Sequence, residues 1–168
     1  RQGLVGSQIS AGIETRYQYN AFAELIKKTT AASSGATQQN VTSYLYDERG
    51  LLDTTVFDSA GLYNADGSLV SNYLSALEQM IHVEVEYDAF KRLIKEIDAA
   101  GNVTEYSYGQ NEQGRKILTV STGYHQSETN AVKQSKVTVY DAFDRTLSIA
   151  NELGYKTQFQ YDLSLIHI

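Results

Sequence analysis

Short runs of alternating apolar and polar residues recur along this chain, and turn-forming residues bound each of them. Two such runs, residues 92–97 and 102–108, are separated by the turn-forming segment 98–101. The unit that contains them, residues 87–108, returns with the same length at residues 140–161. Alternation with a period of two places neighbouring side chains on opposite faces of a strand, so each run predicts a half-buried β-strand.

A second pattern, Gly-x-x-Thr-x-aromatic-x-Tyr, marks the entry to several of these strands. It begins at Gly12, Gly101 and Gly154, and a fourth copy that ends at Tyr46-Asp47 lacks only the glycine. The threonine and the two aromatic residues are spaced two positions apart, so a strand presents all three on one face. The sequence therefore predicts rows of tyrosine along one face of a sheet.

The connections between strands are predicted by the pattern Asp/Asn-x-x-Gly. Asp or Asn at the first position can accept a backbone N–H from two residues on, and glycine adopts the left-handed conformation without a Cβ clash. The spacing of the turns leaves strands of about six or seven residues, which is too short for stable helices. We therefore predict an all-β fold, an antiparallel β-hairpin meander. The pattern occurs at residues 47–50, 58–61, 98–101, 111–114 and 151–154.

Three irregular stretches interrupt this rhythm. Residues 29–40 and 121–134 are polar and predict loops. In residues 62–82, Asp66-Gly67 predicts a hairpin turn and residues 74–81 predict one or two helical turns. Composition does not shift across these insertions, so the sequence predicts no domain boundary.

Composition limits the possible partners. The net charge of −6 argues against a surface for nucleic acid or anionic membrane, which would need clustered lysine and arginine. No apolar run is long enough to span a bilayer. The chain has no cysteine, which excludes disulfides, and no proline, so its turns depend on Gly, Asn and Asp. It has 13 tyrosines but no tryptophan, a choice of aromatic residue that favours half-buried strands.

Both ends of the chain carry information. The chain begins at Arg1 without a methionine or a signal-peptide pattern, so we expect an internal fragment of a longer protein. Residues 163–168 read LSLIHI, which is the translation of a transposon-end adapter used in sequencing libraries. We interpret residues 163–168 as an adapter-derived tail. We assign residues 1–162 to one β-sheet segment that is incomplete at both ends.

These repeats resemble the YD-repeat, or RHS-repeat, family of large bacterial surface and toxin proteins. The family pattern is close to Y-D-x-x-G-R-L, a run, D-x-x-G-N, a second run, and Y-x-Y-D. The resemblance covers about residues 12–162, with Tyr19-Asn20 followed by Leu25 as a weaker copy. The other matching residues are Tyr46-Asp47 with Gly50, Tyr87-Asp88 with Arg92-Leu93, Asp98 with Gly101-Asn102, Tyr106 with Tyr108, Tyr140-Asp141 with Arg145, and Tyr161-Asp162.

The chain departs from the family pattern at two kinds of position. Ala23, Lys91 and Asp144 stand where the family has the turn glycine, and Tyr108 is followed by Gly109 instead of Asp. A residue other than glycine costs about 1 kcal/mol in the left-handed conformation. We therefore expect those three turns to differ in type from the others.

The resemblance implies hairpins laid side by side in a long ribbon, which in related proteins spirals into a hollow shell around a toxic C-terminal segment. The implied partners are the rest of the same polypeptide, the enclosed toxin, and a secretion or toxin-complex delivery component. The implied location is secreted or on the bacterial cell surface. Family members that cleave themselves resemble aspartyl proteases in a C-terminal region rich in D-P-x-G. This chain has no such motif, so no protease residues are assigned.

A search for chemistry finds no catalytic, cofactor-binding or metal-binding residues to assign, and we expect no enzymatic activity. His82 and His125 are isolated and predict surface or edge-strand positions, while His167 falls in the tail. The acidic residues recur at turn starts, which favours turn capping over acid–base catalysis. The segment from Asn64 to Gly67 resembles a calcium loop but lacks acidic residues at two required positions, which favours a hairpin turn. The sequons that begin at Asn40 and Asn102 occupy matching repeat positions, which strand chemistry explains without glycosylation.

Two functions remain open for the tyrosine rows. As structure, cross-strand tyrosine pairs would stabilise a sheet that has little other core. As a binding surface, exposed rings could stack on sugars or hold unfolded cargo. The favoured function is a shell segment that encapsulates and helps to deliver a C-terminal toxin. The alternative is a cell-surface or wall-associated module that binds carbohydrate or protein.

Overall fold

The structure, a computed structural model, describes residues 5–31, 39–59, 61–64, 66–128 and 132–161. Asp162, the tail at residues 163–168, and parts of the loops predicted in residues 29–40 and 121–134 lie outside the described residues. The described chain is almost entirely β-strand, with one short helix, so the prediction of an all-β fold is confirmed. It divides into two compact units, Arg1–Val85 and Glu86–Ile168.

In the first unit every strand pairs antiparallel with the next strand in sequence, as the predicted meander requires. β6 begins in this unit, and its last two residues, Glu86 and Tyr87, belong to the second. The strands are β1 (Val5–Ser10), β2 (Ile13–Tyr19), β3 (Leu25–Ala31), β4 (Gln39–Tyr46), β5 (Leu52–Phe57) and β6 (His82–Tyr87), and the helix α1 spans Tyr73–Leu77.

The second unit repeats this order, again with antiparallel neighbours. β8 and β9 are longer than predicted, with 9 and 10 residues. The reason is local. Gly109 follows Tyr108 in place of a turn-forming Asp, so β8 continues and the turn forms at Asn111. The strands are β7 (Leu93–Ile97), β8 (Asn102–Gln110), β9 (Lys116–His125), β10 (Gln134–Tyr140), β11 (Thr146–Ala150) and β12 (Lys156–Gln158).

One hydrogen-bond pattern closes seven hairpins within the described ranges. At Asp47, the backbone N–H donates to the carbonyl oxygen of Leu51 (2.8 Å), and the N–H of Gly50 donates to the Asp47 carbonyl (2.9 Å). The Asp47 side-chain Oδ1 accepts the N–H groups of Arg49 and Leu51, at 2.8 and 2.9 Å. The turn is therefore a three-residue hairpin loop locked by an Asx side chain. The other six begin at Asn20, Asp88, Asp98, Asn111, Asp141 and Asn151.

The expectation that the turns without glycine differ in type is wrong. Ala23, Lys91 and Asp144 adopt φ values of 64°, 63° and 60°, in the same left-handed region as Gly50 (75°) and Gly154 (83°). The same four hydrogen bonds form around each of them. The bonds therefore impose the backbone conformation and absorb the steric cost of the side chain, about 1 kcal/mol each.

Among the hairpins whose pairing the structure describes, three carry a β-bulge next to the turn. Tyr19 pairs with Leu25 while Gln18 pairs with Lys27, so Ile26 is an extra residue on its strand. The same register shift leaves Asp53 and Leu147 as the extra residues in the β4–β5 and β10–β11 hairpins. A bulge bends its strand and increases the local twist. No turn-forming residue in the sequence indicates a bulge at these positions.

The prediction of a hairpin turn at residues 58–61 is wrong. Here the N–H of Ser59 donates to the Val41 carbonyl (3.0 Å), and the N–H of Leu62 donates to the Ser59 carbonyl (3.2 Å). Ser59 is fully buried, and its hydroxyl donates to Ser43 Oγ at 2.7 Å. The segment instead leads the chain into the insertion between β5 and β6, which begins by burying Leu62.

The insertion covers the core of the first unit. Tyr63 bridges to Leu69 around a turn in which Gly67 has positive φ, so the hairpin predicted at Asp66-Gly67 is confirmed. The helical turn predicted at residues 74–81 is present as α1, one residue earlier and shorter. Leu45, Val56 and Leu62 form the buried cluster, and partly buried side chains from the insertion pack against it: Tyr63, Leu69, Tyr73, Leu77 and Met80.

The second unit has much less apolar burial than the first. Among its described residues, the buried apolar side chains are Ile97 and Val103, with exposures of 7% and 2%. A sheet with so few buried apolar groups needs other interactions to hold its strands together.

The left-handed turn position can be tested by exchanging alanine and glycine in both directions. Ala23→Gly removes the steric cost at φ 64° and should raise the free energy of unfolding by about 1 kcal/mol. Gly154→Ala should lower it by a similar amount, because a Cβ there has no neighbour within 4 Å and only the backbone strain remains. Urea unfolding measures both. Changes of the same sign would contradict the shared turn type.

Candidate functional site

The constellation that recurs in the described chain is an arginine held between a turn and a tyrosine. Arg92 lies four residues after Asp88, and its Nη2 and Nε lie 2.6 and 2.7 Å from Asp88 Oδ2. The guanidinium lies over the ring of Tyr108, 4.3 Å from its centroid, and 5.3 Å from the centroid of Phe90. The Tyr108 hydroxyl donates to the carbonyl of Leu93 at 2.8 Å. We call this group the arginine clamp.

A second arginine clamp occurs one repeat later with nearly the same geometry. Arg145 pairs with Asp141 at 2.7 Å, and its guanidinium lies 4.6 Å from the ring centroid of Tyr161. The Tyr161 hydroxyl donates to the carbonyl of Thr146 at 2.8 Å. In both copies the clamp ties a hairpin turn to the tyrosine that ends the next Thr-x-aromatic-x-Tyr segment. The chemistry is that of a structural lock, because charge pairing and stacking on an aromatic ring hold backbone elements in place.

The first unit keeps the tyrosine of the clamp without the arginine. Glu24 occupies the arginine position and accepts a hydrogen bond from Asn20 Nδ2 at 2.6 Å. The Tyr46 hydroxyl still donates to the carbonyl of Leu25 (2.9 Å), as in the other two copies. Burial raises the pKa of Tyr46, and the negative charge of Glu24 adds to the effect. The hydroxyl-to-carbonyl bond is therefore the part of the clamp that all three copies share.

The turn carboxylates have lowered pKa values. At Asp98, hydrogen bonds from the Asn102 side chain and backbone lower the pKa most. At Asp88, desolvation acts to raise the pKa, but the backbone N–H and guanidinium of Arg92 and the N–H of Phe90 bring it below the ordinary value. Asp47 and Asp141 are shifted in the same direction by equivalent donors. These groups are charged acceptors in turns, which confirms the assignment of the turn-start carboxylates to capping.

Alternating charges connect the strands of the second unit. Lys95 Nζ lies 2.8 Å from Glu86 Oε1, and Lys133 Nζ lies 2.6 Å from Glu105 Oε2. Glu105 is the cross-strand partner of Lys95, so the row runs through adjacent strands. Tyr124 joins it at Glu105, and desolvation followed by this hydrogen bond raises the pKa of Tyr124 to about 12. Exposed ion pairs contribute little singly, so the row acts mainly by setting strand register.

The two histidines bond to structural groups. His82 Nδ1 lies 2.8 Å from the carbonyl oxygen of Met80, and its Nε2 lies 3.2 Å from Glu84. His125 Nε2 lies 3.0 Å from the carbonyl oxygen of Ala100, while Nδ1 faces the hydroxyl of Ser127 at 2.8 Å. His82 begins β6 and His125 ends β9; both side chains are half-buried, and neither strand is an edge strand.

The tyrosine rows lie on the less buried face of the sheet in β4. Tyr44 and Tyr46 are half-buried there, whereas Val41, Ser43 and Leu45 on the alternate positions are buried. This alternation confirms that the aromatic residues share a face. Tyr106 in β8 is likewise half-buried, and desolvation, together with the negative charge of the Glu96 carboxylate, raises the pKa of its hydroxyl. The rings are therefore wedged among neighbouring side chains and expose only part of their surface.

The segment beginning at Asn64 forms a hairpin turn, as the sequence favoured. The N–H of Asn64 donates to the Ser68 carbonyl (2.8 Å), and Asp66 Oδ1 accepts both the N–H and the hydroxyl of Ser68. In the part of the chain that the structure describes, no three His, Asp or Glu side chains gather as metal ligands would. Asn40 and Asn102 both lie exposed at the beginnings of β4 and β8.

From the sequence, Arg92 and Arg145 had no assigned role, and Tyr108 and Tyr161 were assigned only to the tyrosine rows. The arginines entered only as matches to the repeat pattern. A signal was available, because both copies with Asp-Ala-Phe keep an arginine four residues after the Asp and a tyrosine at the end of the next Thr-x-aromatic-x-Tyr segment. The pairing itself depends on the sheet, which brings these positions together.

Comparison with known proteins adds no relative. A scan against protein-family models and a search of curated proteins both gave no match. Within the described residues, no helix combines the length and apolar character that crossing a membrane would need.

The arginine clamp predicts a loss of stability specific to its position. Arg92→Met keeps the length of the side chain but removes the pair with Asp88 and the cation over Tyr108, so the midpoint of thermal unfolding should fall by a few degrees. Arg115→Met is the matched control, because Arg115 also lies four residues after its turn start and makes the same backbone bonds. Equal effects of the two substitutions would show that the clamp contributes nothing.

The turn carboxylates predict acid sensitivity. The folded pKa of Asp98 lies below the ordinary value of 3.8, so its contribution to stability is full above that value and is lost as the pH falls through the folded pKa. Asp98→Asn should keep the turn, because Asn111 and Asn151 make the same Oδ1 bonds, and it should flatten the acid limb of stability against pH. Urea unfolding measured at several pH values tests this. An unchanged acid limb would rule out Asp98 as a contributor.

Proposed function

We propose that this chain is a structural segment of an RHS/YD-repeat β-sheet shell that encapsulates and helps to deliver a C-terminal toxin domain. The observation that carries the proposal is the recurrence of one closed hairpin, with the same turn bonds and the same tyrosine hydroxyl bond, along an in-phase repeat. Each hairpin is stabilised by its own residues, so a wall can be extended by adding copies.

The role is mechanical, and the shell protein is not an enzyme in this segment. The recurring turn Asp and Asn residues, the two clamp arginines and the tyrosines that end the segments bond to backbone groups or to each other. The partners are the rest of the same polypeptide, the enclosed toxin, and a secretion or toxin-complex delivery component. The protein acts outside the producing bacterium, secreted or at the cell surface.

The alternative, a wall-associated module that binds carbohydrate, rests on the partial exposure of the tyrosine rows. Glycan-array binding that is lost in Tyr17→Ala and Tyr106→Ala would favour it. Tyr106 is half-buried, and the hydroxyls of Tyr46 and Tyr108, which end their segments, donate to backbone carbonyls, so these rings are engaged within the sheet.

The proposal predicts what the complete gene encodes and how its product behaves. Downstream of residue 162 we expect D-P-x-G-rich sequence and then an unrelated C-terminal domain. That domain should be toxic when expressed alone in a bacterial host and should resist protease within the full-length protein. A control protein with the domain moved to the N-terminus should lose this protection. A stop codon soon after Asp162, or equal protease sensitivity in both arrangements, would contradict the proposal.

A further inference from the structure

A cleft of about 720 Å³ opens in the first unit, between the hairpin turns that begin at Asn20 and Asp47 and the insertion that carries α1. Ile26 and Leu45 contribute to its lining and are almost fully buried, at 3% and 9% exposure. Its volume is in the range of pockets that hold small ligands or a few residues of a peptide. The repeat alone does not produce this cleft, because the insertion supplies one of its walls.

Aromatic rings line the cleft. Tyr46, Tyr63 and Tyr73 all contribute to its surface. The hydroxyl of Tyr46 donates to the Leu25 carbonyl, and that of Tyr63 donates to the Tyr44 carbonyl at 2.7 Å. Since these two hydroxyls already donate to backbone carbonyls, Tyr46 and Tyr63 offer a ligand mainly the faces of their rings. Ring surfaces attract apolar groups and cations.

The cleft also has exposed apolar side chains at its margin. Phe22 at the β2–β3 turn is 85% exposed, and Leu74 in α1 is 63% exposed. Phe22 occupies a turn position that Phe90 and Phe143 fill in two equivalent turns and Arg49, Ala100 and Gln113 fill in three others, so the turn geometry accepts an aromatic residue there without requiring one. A ligand in the cleft would bury part of Phe22 and Leu74.

The charge of the lining is negative. It contains the carboxylates of Glu24, Asp47, Glu48 and Asp53 and one guanidinium, that of Arg49, which is ion-paired with Asp47 at 2.7 Å. A Cβ on Gly50 would lie 2.8 Å from Glu24 Oε1, so glycine at that turn leaves room for the Glu24 carboxylate. A negative, aromatic cleft complements a ligand that is both cationic and apolar.

We propose that this cleft binds an extended peptide segment in which lysine or arginine alternates with bulky apolar residues. The cationic side chain would lie against the tyrosine rings and pair with Glu24, while the apolar neighbours would cover Phe22 and Leu74. Anionic ligands are disfavoured by the four carboxylates. A neutral sugar would use the rings but would gain little from the charge. The inference stands independently of the shell function proposed above.

Fluorescence anisotropy with the whole chain tests the proposal. The probe is a fluorescein-labelled peptide of sequence Ser-Leu-Lys-Phe-Lys-Ser, compared with Ser-Leu-Gln-Phe-Gln-Ser and Ser-Leu-Glu-Phe-Glu-Ser. We expect the lysine peptide to bind, the glutamine peptide to bind about tenfold more weakly, and the glutamate peptide not to bind. Raising the salt concentration should weaken binding of the lysine peptide.

Protein variants locate the binding site. Phe22→Ala should weaken binding of the lysine peptide about tenfold, and Glu24→Gln about fivefold. Phe90→Ala is the matched control, because Phe90 holds the same turn position, is 80% exposed, and lies outside the cleft. It should bind the peptide as the unaltered chain does. Far-UV circular dichroism confirms that each variant is folded.

Three results would overturn the proposal. The first is equal affinity for all three peptides on the unaltered chain, which needs no variant to fold. The second is equal loss of binding in Phe22→Ala and Phe90→Ala. The third is binding of a neutral oligosaccharide such as maltohexaose without binding of the lysine peptide, which would make the cleft a carbohydrate site.

Discussion

The fold depends on a single side-chain oxygen that accepts two backbone N–H groups at each of the seven described hairpins that begin with Asp or Asn. The Oδ1 of Asp or Asn holds the residues two and four positions on, and the main chain adds two further bonds across the loop. With these bonds in place the residue before the second strand is forced to positive φ, whether it is Gly50, Ala23 or Lys91. The turn is therefore robust to its own sequence. The acceptor is the part that the turn needs.

In the second unit the core is small, so interactions between surface side chains have to connect the hairpins. Few of its apolar side chains are buried, so its strands are connected by interactions along the surface. Arg92 and Arg145 tie each turn to a tyrosine on a later segment, and the row from Glu86 through Lys95 and Glu105 aligns neighbouring strands. The strands of the first unit are stabilised by a core instead, because the insertion packs Leu62 onto Leu45 and Val56.

The sequence predicts the strands and most turns because both are encoded locally. Alternation fixes a face, and an Asx residue followed by a left-handed position fixes a loop. Prediction from the sequence fails where the local structure depends on packing. Asp58 begins the same Asp-x-x-Gly pattern as Asp47. Ser59 and Leu62 are buried, however, and the chain continues into the insertion instead of closing a hairpin. In each clamp the arginine meets a tyrosine 16 residues away in sequence, and the cleft requires the insertion to fold against two turns, so neither contact follows from local sequence alone.

The bulges beside the turns determine what happens to the sheet when a repeat is added or lost. Each is confined to the turn end of its own hairpin, since the pairing shifts once, by the extra residue Ile26, Asp53 or Leu147, and stays in register along the rest of the hairpin. The curvature that each bulge introduces is therefore carried by the hairpin as a property of its own. Duplication or loss of a whole repeat in the gene would add or remove one increment of bend without disturbing the hairpins on either side. Recombination alone could thus change the number of hairpins in the sheet, with no compensating substitutions.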